Sequence, residues 1–217
     1  NGHMATSLAL LAGGWALFGL LHSLLVERRV RARLRLPAFL LRAYRLLYNL
    51  LTASAILGLV VYASRIGSPL VYEFDGALRI PFHILRIAGA AVGIGSAWQL
   101  GMLEFLGLAQ LFGRRTIEGT GLRTDGLYAY CRHPMGLGFL LMVWGSPWMS
   151  SAYLVTAASL TVYLLVGTWF EERDLRASFP AEYSEYCRRV PALLPIAWRT
   201  SRPAPGVTPA VPVERRG

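Results

Sequence analysis

Two short blocks hold most of the side chains through which this sequence could do chemistry. The first is Gly126-Leu127-Tyr128-Ala129-Tyr130-Cys131-Arg132-His133-Pro134-Met135-Gly136-Leu137-Gly138. Pro134 can open a helix at its first position, where the N–H it lacks would be unsatisfied anyway. The free N–H groups and partial positive charge of such a helix start, with Arg132 and His133 beside it, suit a carboxylate or a phosphate. The plainer reading is an Arg-His pair that anchors a helix end among lipid headgroups. The second block is Glu171-Glu172-Arg173-Asp174-Leu175, at the end of a long apolar run. Carboxylates so near hydrocarbon need pairing or hydration. They can grip a ligand ammonium, pair with Arg132, or mark the polar boundary of a helix. Cys131 and Cys187 are too few for a disulfide framework and lack metal-ligand spacing, so no metal is expected.

The elements that must position these residues read as membrane helices. Of the 217 residues, 54% are hydrophobic and only 16% charged, below the quarter or so usual in soluble domains. Asn1-Gly2-His3-Met4 reads as a cloning remnant ahead of a start at Met4. Apolar runs at about 5–26, 46–64, 82–103 and 150–170 have the length needed to cross hydrocarbon, and 135–144 is a shorter fourth member of the series. Glu27–Arg35, with Arg42 and Arg45, reads as an amphipathic helix lying on headgroups. Arg65–Pro81, with Gly67, Pro69, Asp75 and Gly76, reads as a loop, and Glu104–Pro134 as a structured loop rich in glycine (Gly113, Gly119, Gly121, Gly126). The break Gly145-Ser146-Pro147 separates the last two spans. Beyond Glu171, the residues Leu175, Phe179, Tyr183, Tyr186 and Val190 recur every three or four positions. They predict an amphipathic helix that folds back over the segment before His133 or rests on the interface. The expected architecture is thus an all-α membrane protein with about five spans, one domain over 5–199 and a disordered proline-rich tail at 200–217.

Charge placement orients it. The net charge is +10 and all 22 basic residues are arginine. They cluster beside apolar runs rather than over a soluble face, which excludes a nucleic-acid partner. Seven arginines follow the first span. Arg114, Arg115, Arg123 and Arg132 follow the third, and Arg173, Arg176, Arg188 and Arg189 follow the fifth, whereas the tip between the fourth and fifth has none. The positive-inside rule places these ends in the cytoplasm, the N-terminus outside and the C-terminus inside. His22 and Glu104 then lie near the cytoplasmic ends of the first and third spans. As intramembrane ionisable residues they are candidate catalytic groups, or hydrogen-bonding links between helices. Gly93-Ile94-Gly95 lacks a preceding strand and is no dinucleotide fingerprint; with Gly89 it offers small residues four apart for close helix packing.

Arg132-His133-Pro134 with Gly138, followed by Glu171-Glu172 and then Tyr183, Tyr186 and Val190-Pro191, resembles the integral-membrane methyltransferases of the isoprenylcysteine carboxyl methyltransferase superfamily. The resemblance covers about Thr124–Pro195. It implies that 124–195 binds S-adenosylmethionine in a pocket open to the cytosol, with a tunnel beneath that admits the acceptor from the membrane. It further implies that Arg132 and His133, ahead of Pro134, meet the carboxylate end of that cofactor, that Tyr128 and Leu137 shape its pocket, and that Glu171 or Glu172 meets its ammonium. The family commonly has tyrosine where this chain has Gly136 and glycine where it has Pro180. His22-Ser23 before an arginine run, Tyr44-Arg45-Leu46-Leu47-Tyr48-Asn49, Glu104-Phe105-Leu106-Gly107-Leu108-Ala109-Gln110 and Ser146-Pro147-Trp148-Met149-Ser150 are similar to segments of the NnrU-like and methanethiol S-methyltransferase-like branch.

The expectation from that resemblance is methyl transfer to a small or lipophilic acceptor, a thiol favoured, by a protein among membrane lipids of the bacterial inner membrane with its site facing the cytoplasm. A positioned, activated sulfonium methyl needs mainly orientation and a deprotonated acceptor. Methylation of a prenylcysteine carboxyl or a phospholipid amine is one alternative. Others are an NADPH-dependent membrane reductase with a related Arg-His-Pro region, and a non-catalytic assembly factor.

Overall fold

Backbone N–H and C=O groups in hydrocarbon must pair within their own segment, so long apolar runs fold as helices. The computed structural model describes residues 2–26, 36–112 and 121–194. Four helices are long and apolar enough to cross a membrane: α1 (Gly2–Val26), α2 (Ala38–Arg65), α3 (Arg79–Gln99, entered through a 3-10 turn at Gly76–Leu78) and, later in the chain, Ser151–Ser178. After α3 come two short helices, α4 (Met102–Leu106) and α5 (Leu108–Leu111), and a 3-10 turn, Gly126–Ala129. The shorter apolar helix α6 (Pro134–Trp144), the long α7 (Ser151–Ser178) and α8 (Pro180–Arg189) complete the series. Two short strands, β1 (Leu70–Glu73) and β2 (Trp148–Ser150), accompany the helices.

The chain is therefore an all-α membrane protein in its main lines, with several differences in detail. α2 begins at Ala38 rather than Leu46 and takes in Arg42 and Arg45, because nothing after Pro37 interrupts the helix. The third span stops at Gln99, short of Leu103. Gly101 adopts φ 91°, which only glycine takes without strain, and turns the chain into α4. α7 continues as one helix through Ser178, so Glu171 and Glu172 lie within it rather than beyond it. The stretch 65–81, read as a loop, holds β1, which pairs antiparallel with β2 in the register Leu70↔Ser150, Tyr72↔Met149 and Glu73↔Trp148. Ser150 also caps α7 by accepting a bond from the Tyr153 N–H at 3.2 Å. The expected interfacial segment Glu27–Arg35, the positions Gly113, Arg114, Arg115 and Gly119, and the tail at 200–217 lie outside the described residues.

Apolar side chains face outward along most of the bundle. α2 has no buried residue, and Leu50, Leu51 and Leu57 are exposed, a surface suited to lipid and not to water. The main core lies between α1 and α7, where Leu11, Trp15 and Phe18 meet Ala152 and Leu160. The Trp15 indole N–H donates to the Thr156 hydroxyl at 3.2 Å, satisfying a polar group inside this apolar seam.

The tightest helix pair is α3 with α6. A Cβ placed on Gly89 would fall 2.6 Å from the Gly138 carbonyl oxygen, and one on Gly138 would fall 2.5 Å from the Gly89 carbonyl oxygen and 2.6 Å from Gly93 N. The two backbones touch because neither helix carries a side chain there. This seam fixes α6, and with it the helix start that follows His133. Gly89→Ala and Gly138→Ala should each cost about 1–3 kcal/mol by forcing the helices apart. Gly93→Ala, whose Cβ would meet open space, should be neutral or stabilising. Thermal unfolding of the three variants in detergent tests the contrast.

Candidate functional site

At the start of α6 the chain brings its two chemical blocks together. Pro134 occupies the first helical position and is buried, and no side chain caps the helix start. Arg132 and His133 precede it, held by main-chain bonds to the segment after α8: the Arg132 N–H donates to the Pro191 carbonyl at 2.9 Å and the His133 N–H to the Ala192 carbonyl at 3.0 Å. On the other side, the Leu127 N–H donates to the Gln99 side chain at 3.1 Å, fastening the turn Gly126–Ala129 to the end of α3.

Glu172 is the hub of the cluster. Its Oε1 accepts from Arg132 Nη2 at 2.6 Å and Nε at 3.0 Å and lies 3.3 Å from His133 Nε2. Its Oε2 accepts from Arg176 Nη2 at 2.8 Å. Arg132 is itself committed to the fold: its Nη1 donates to the Val190 carbonyl at 2.8 Å and more weakly to the Cys187 carbonyl. The side chains of Arg132 and Glu172 are 11% and 12% exposed, which makes this a buried pair in which each charge depends on the other. Of the two partners read for these carboxylates, an ammonium or Arg132, Glu172 has taken Arg132.

Glu171 remains available. Its side chain is 63% exposed, yet Oε2 lies 3.4 Å from His133 Nδ1. The His133 imidazole thus has a carboxylate at each nitrogen. Burial opposes its charge, but Glu171 and then Glu172 outweigh that and hold its pKa above the ordinary value. Tyr128 stands nearby: burial pushes its phenol up to about 12, and the charge of Glu171 adds to the shift. Leu137, half-buried, lies one turn into α6. Uncapped N–H groups and an accessible carboxylate, with an imidazole between them, are a set of donors and acceptors that fits a zwitterionic amino-acid terminus.

α8 packs over the cluster. The stripe Leu175, Phe179, Tyr183, Tyr186 and Val190 packs together with Leu122, and the Tyr186 hydroxyl donates to the Tyr128 carbonyl at 2.6 Å. Pro180 sits at the first position of α8, where it fits. Tyr183 is fully buried with its hydroxyl unpartnered among the described residues, its ring 5.8 Å from the Arg176 guanidinium carbon. A Cβ on Gly136 would touch Leu164 at 3.4 Å, so a tyrosine there would need that side chain to move. Cys131 is buried and its thiol is pushed up by burial, the mark of an inert cysteine.

The other two candidates lie elsewhere. His22 Nδ1 is 2.5 Å from the Tyr163 hydroxyl, between α1 and α7. Glu104, in α4, folds its carboxylate over Gly101, and its carbonyl accepts from Gln110 Nε2 at 3.2 Å. Sequence reasoning missed Arg176, although its i,i+4 spacing from Glu172 is a readable signal. It also missed the Pro191 and Ala192 carbonyls, Gln99 and Tyr163, whose roles depend on contacts remote in sequence.

Residues 84–182 match the family model described as phospholipid methyltransferase. The chain is 44% identical over 110 residues to methanethiol S-methyltransferase 2 of Bradyrhizobium diazoefficiens, covering 49% of this chain and 42% of that protein. It is 29% identical over 205 residues to the methanethiol S-methyltransferase of Crocosphaera subtropica (91% and 78%) and 36% identical over 121 residues to that of Mycobacterium tuberculosis (54% and 49%). The match spans less than two thirds of the first and third of these relatives. No solved structure matches the chain. These likenesses bear out the resemblance read from the sequence, to integral-membrane methyltransferases and, within them, to the methanethiol S-methyltransferase-like branch.

Glu172→Gln should destabilise the protein by about 3 kcal/mol, because it leaves Arg132 buried without its counter-charge. Glu171→Gln, at an exposed position, should cost only about 0.5 kcal/mol. The second effect depends on pH. The folded pKa of His133 lies above its unfolded value, so its contribution is complete below the ordinary imidazole pKa of about 6.5 and is lost as pH rises through the folded value. Thermal midpoints of wild type and Glu171→Gln should therefore differ most near pH 6 and converge at alkaline pH.

Proposed function

We propose that this chain, similar over residues 84–182 to phospholipid methyltransferases and over longer stretches to methanethiol S-methyltransferases, transfers a methyl group from S-adenosylmethionine to a small thiol. The observation that carries the reading is the pairing pattern at the start of α6. Glu172 is saturated by Arg132, Arg176 and His133, while Glu171 and the uncapped helix start stay open.

In this reading Glu171 holds the ammonium of the cofactor and the N–H groups following Pro134 hold its carboxylate, with His133 Nδ1 exchanging its Glu171 contact for that carboxylate when the cofactor binds. Tyr128 and Leu137 wall the pocket. Arg132 and Glu172 act as positioning residues, since their polar atoms are spent on one another and on the chain. When bound, the cofactor supplies a methyl group already activated by its sulfonium charge. What the protein adds is orientation, exclusion of water and an acceptor in its deprotonated form. His22 and Glu104 are the candidate groups for the last task, at the level where acceptor and membrane meet. The proposed setting is the bacterial inner membrane, with five spans counting α6, the N-terminus outside and the site on the cytoplasmic side, where the arginines lie. Prenylcysteine carboxyls and phospholipid amines are the competing acceptors, and a nucleotide-dependent reductase the competing chemistry. The exposed carboxylate of Glu171 is poorly placed for a phosphate-rich ligand such as NADPH.

Purified protein should bind S-adenosylhomocysteine and not NADPH in calorimetric titration; the reverse would sink the cofactor reading. His133→Ala should weaken that affinity about 10–100-fold, the worth of a hydrogen bond to a charged group, while the helices remain folded. With labelled cofactor, methanethiol or hydrogen sulfide should accept the methyl in preference to a prenylcysteine analogue or phosphatidylethanolamine. Preference for either of the last two would reassign the acceptor.

A further inference from the structure

A second cluster lies away from the Glu172 hub, where α1, α2 and α7 meet. The His22 ring sits 5.0 Å from the Tyr48 ring and 5.5 Å from Phe18, with Nδ1 against the Tyr163 hydroxyl. Nε2 of His22 has no hydrogen-bond partner among the described residues. The Tyr48 ring, against His22, is also one wall of a recess of about 190 Å³ that is completed by Leu25, Tyr44, Leu47 and Leu51 and is nearly all apolar and partly open. The tyrosine hydroxyls of that wall are turned away to main-chain carbonyls, Tyr44 to Leu25 at 2.7 Å and Tyr48 to His22 at 3.4 Å. Tyrosine rings and leucine side chains are left to face a ligand. The volume is about six times a water's ~30 Å³ share of the liquid, room for a thiol of a few carbons. Along α7, Tyr163 lies eight residues before Glu171, about 12 Å at 1.5 Å per residue. The two sites are therefore at neighbouring depths on one helix.

Resting on the methyltransferase reading above, we infer that the recess between α1 and α2 receives a small apolar thiol, and that His22, oriented by Tyr163, takes its proton. The tautomer this requires has Nδ1–H donating to the Tyr163 oxygen and Nε2 free to accept the thiol proton. A carbon–sulfur bond then forms between the thiolate and the methyl of a sulfonium donor as the donor's own carbon–sulfonium bond breaks, its electron pair staying on the donor sulfur. The proton on His22 leaves to water at the arginine-rich end. His22 would be a catalytic residue, touching the thiol, and Tyr163 a positioning residue acting through it.

The test uses the full chain in lipid nanodiscs with methanethiol as the thiol. His22→Gln keeps a hydrogen-bonding side chain between the helices but cannot take a proton. It should retain S-adenosylhomocysteine affinity, lower kcat at neutral pH by about 100-fold or more, and recover rate as rising pH ionises the thiol in solution. Tyr163→Phe, which keeps the ring packing, should lower kcat about tenfold. Leu47→Trp, filling the recess, should raise the thiol KM about tenfold with kcat little changed. Without any donor, ¹³C-methanethiol should bind the wild type and His22→Gln alike and bind Leu47→Trp about tenfold more weakly, read from the shift of its methyl signal on titration. A wild-type pH profile in His22→Gln, an unaltered KM in Leu47→Trp, or unaltered donor-free binding in Leu47→Trp would overturn the inference. If the wild type binds S-adenosylhomocysteine but methylates no thiol, the acceptor assigned under the proposed function fails. The donor-free titration of Leu47→Trp against the wild type then still decides whether the recess binds a thiol.

Discussion

The buried carboxylate of Glu172 is the constraint around which this end of the molecule is arranged. It draws three side chains to itself: Arg132 and His133 ahead of α6, and Arg176 one turn further along its own helix. Taking a carboxylate and a guanidinium out of water is costly, and only close, multiply bonded geometry offsets the loss. That geometry exists because α7 stays helical well past its apolar stretch, because Pro134 starts a helix where it does, and because the segment after α8 lends its carbonyls to Arg132. Remove any one of these and a charge is left buried and alone. The consequence for chemistry is a division of labour between adjacent glutamates. The buried one holds the protein to itself, and the exposed one is left to meet a ligand.

The glycine seam between α3 and α6 serves the same end from the apolar side. A short helix of 11 residues buries little by itself, and its axis would be poorly determined against lipid. Backbone contact through Gly89, Gly93 and Gly138 fixes it against a long neighbour, so the N–H groups at its start point in one direction. At the opposite end of the bundle, β1 and β2 tie the entry to α3 and the turn between α6 and α7 into one small sheet. The pair is thus clamped at one end and seamed along its length.

Much of this could be read from residue types and spacing. The apolar lengths predict the long helices, Pro134 marks the start of α6, and the arginine-rich ends mark one side of the bundle. The resemblance points to the block in which the buried cluster forms and leaves open which partner Glu172 takes. What could not be read depends on distance in sequence. Nothing local to Glu172 says that Arg132, forty positions earlier, will claim it, or that Ala192 will bond His133. The true start of α2 at Ala38 was hidden because arginines in its first turns mimic an interfacial segment, though long basic side chains can rise to the headgroups from within a helix. The strands were missed because three or four residues near glycines and prolines carry no period of their own. Tyr163 was unremarkable in an apolar run until folding set it against His22.

α2 touches its neighbours sparingly, and none of its residues is buried. A helix of 28 residues is about 42 Å long, more than the roughly 30 Å of a typical hydrocarbon core. Such a helix must tilt, or lift its Arg42 and Arg45 turns out among the headgroups. One wall of the recess beside His22 belongs to it, so the lipid itself helps set how far that wall stands from α1. A thicker or thinner bilayer would change the tilt of α2 and thereby the width of the opening, making the physical state of the membrane a control on what reaches His22.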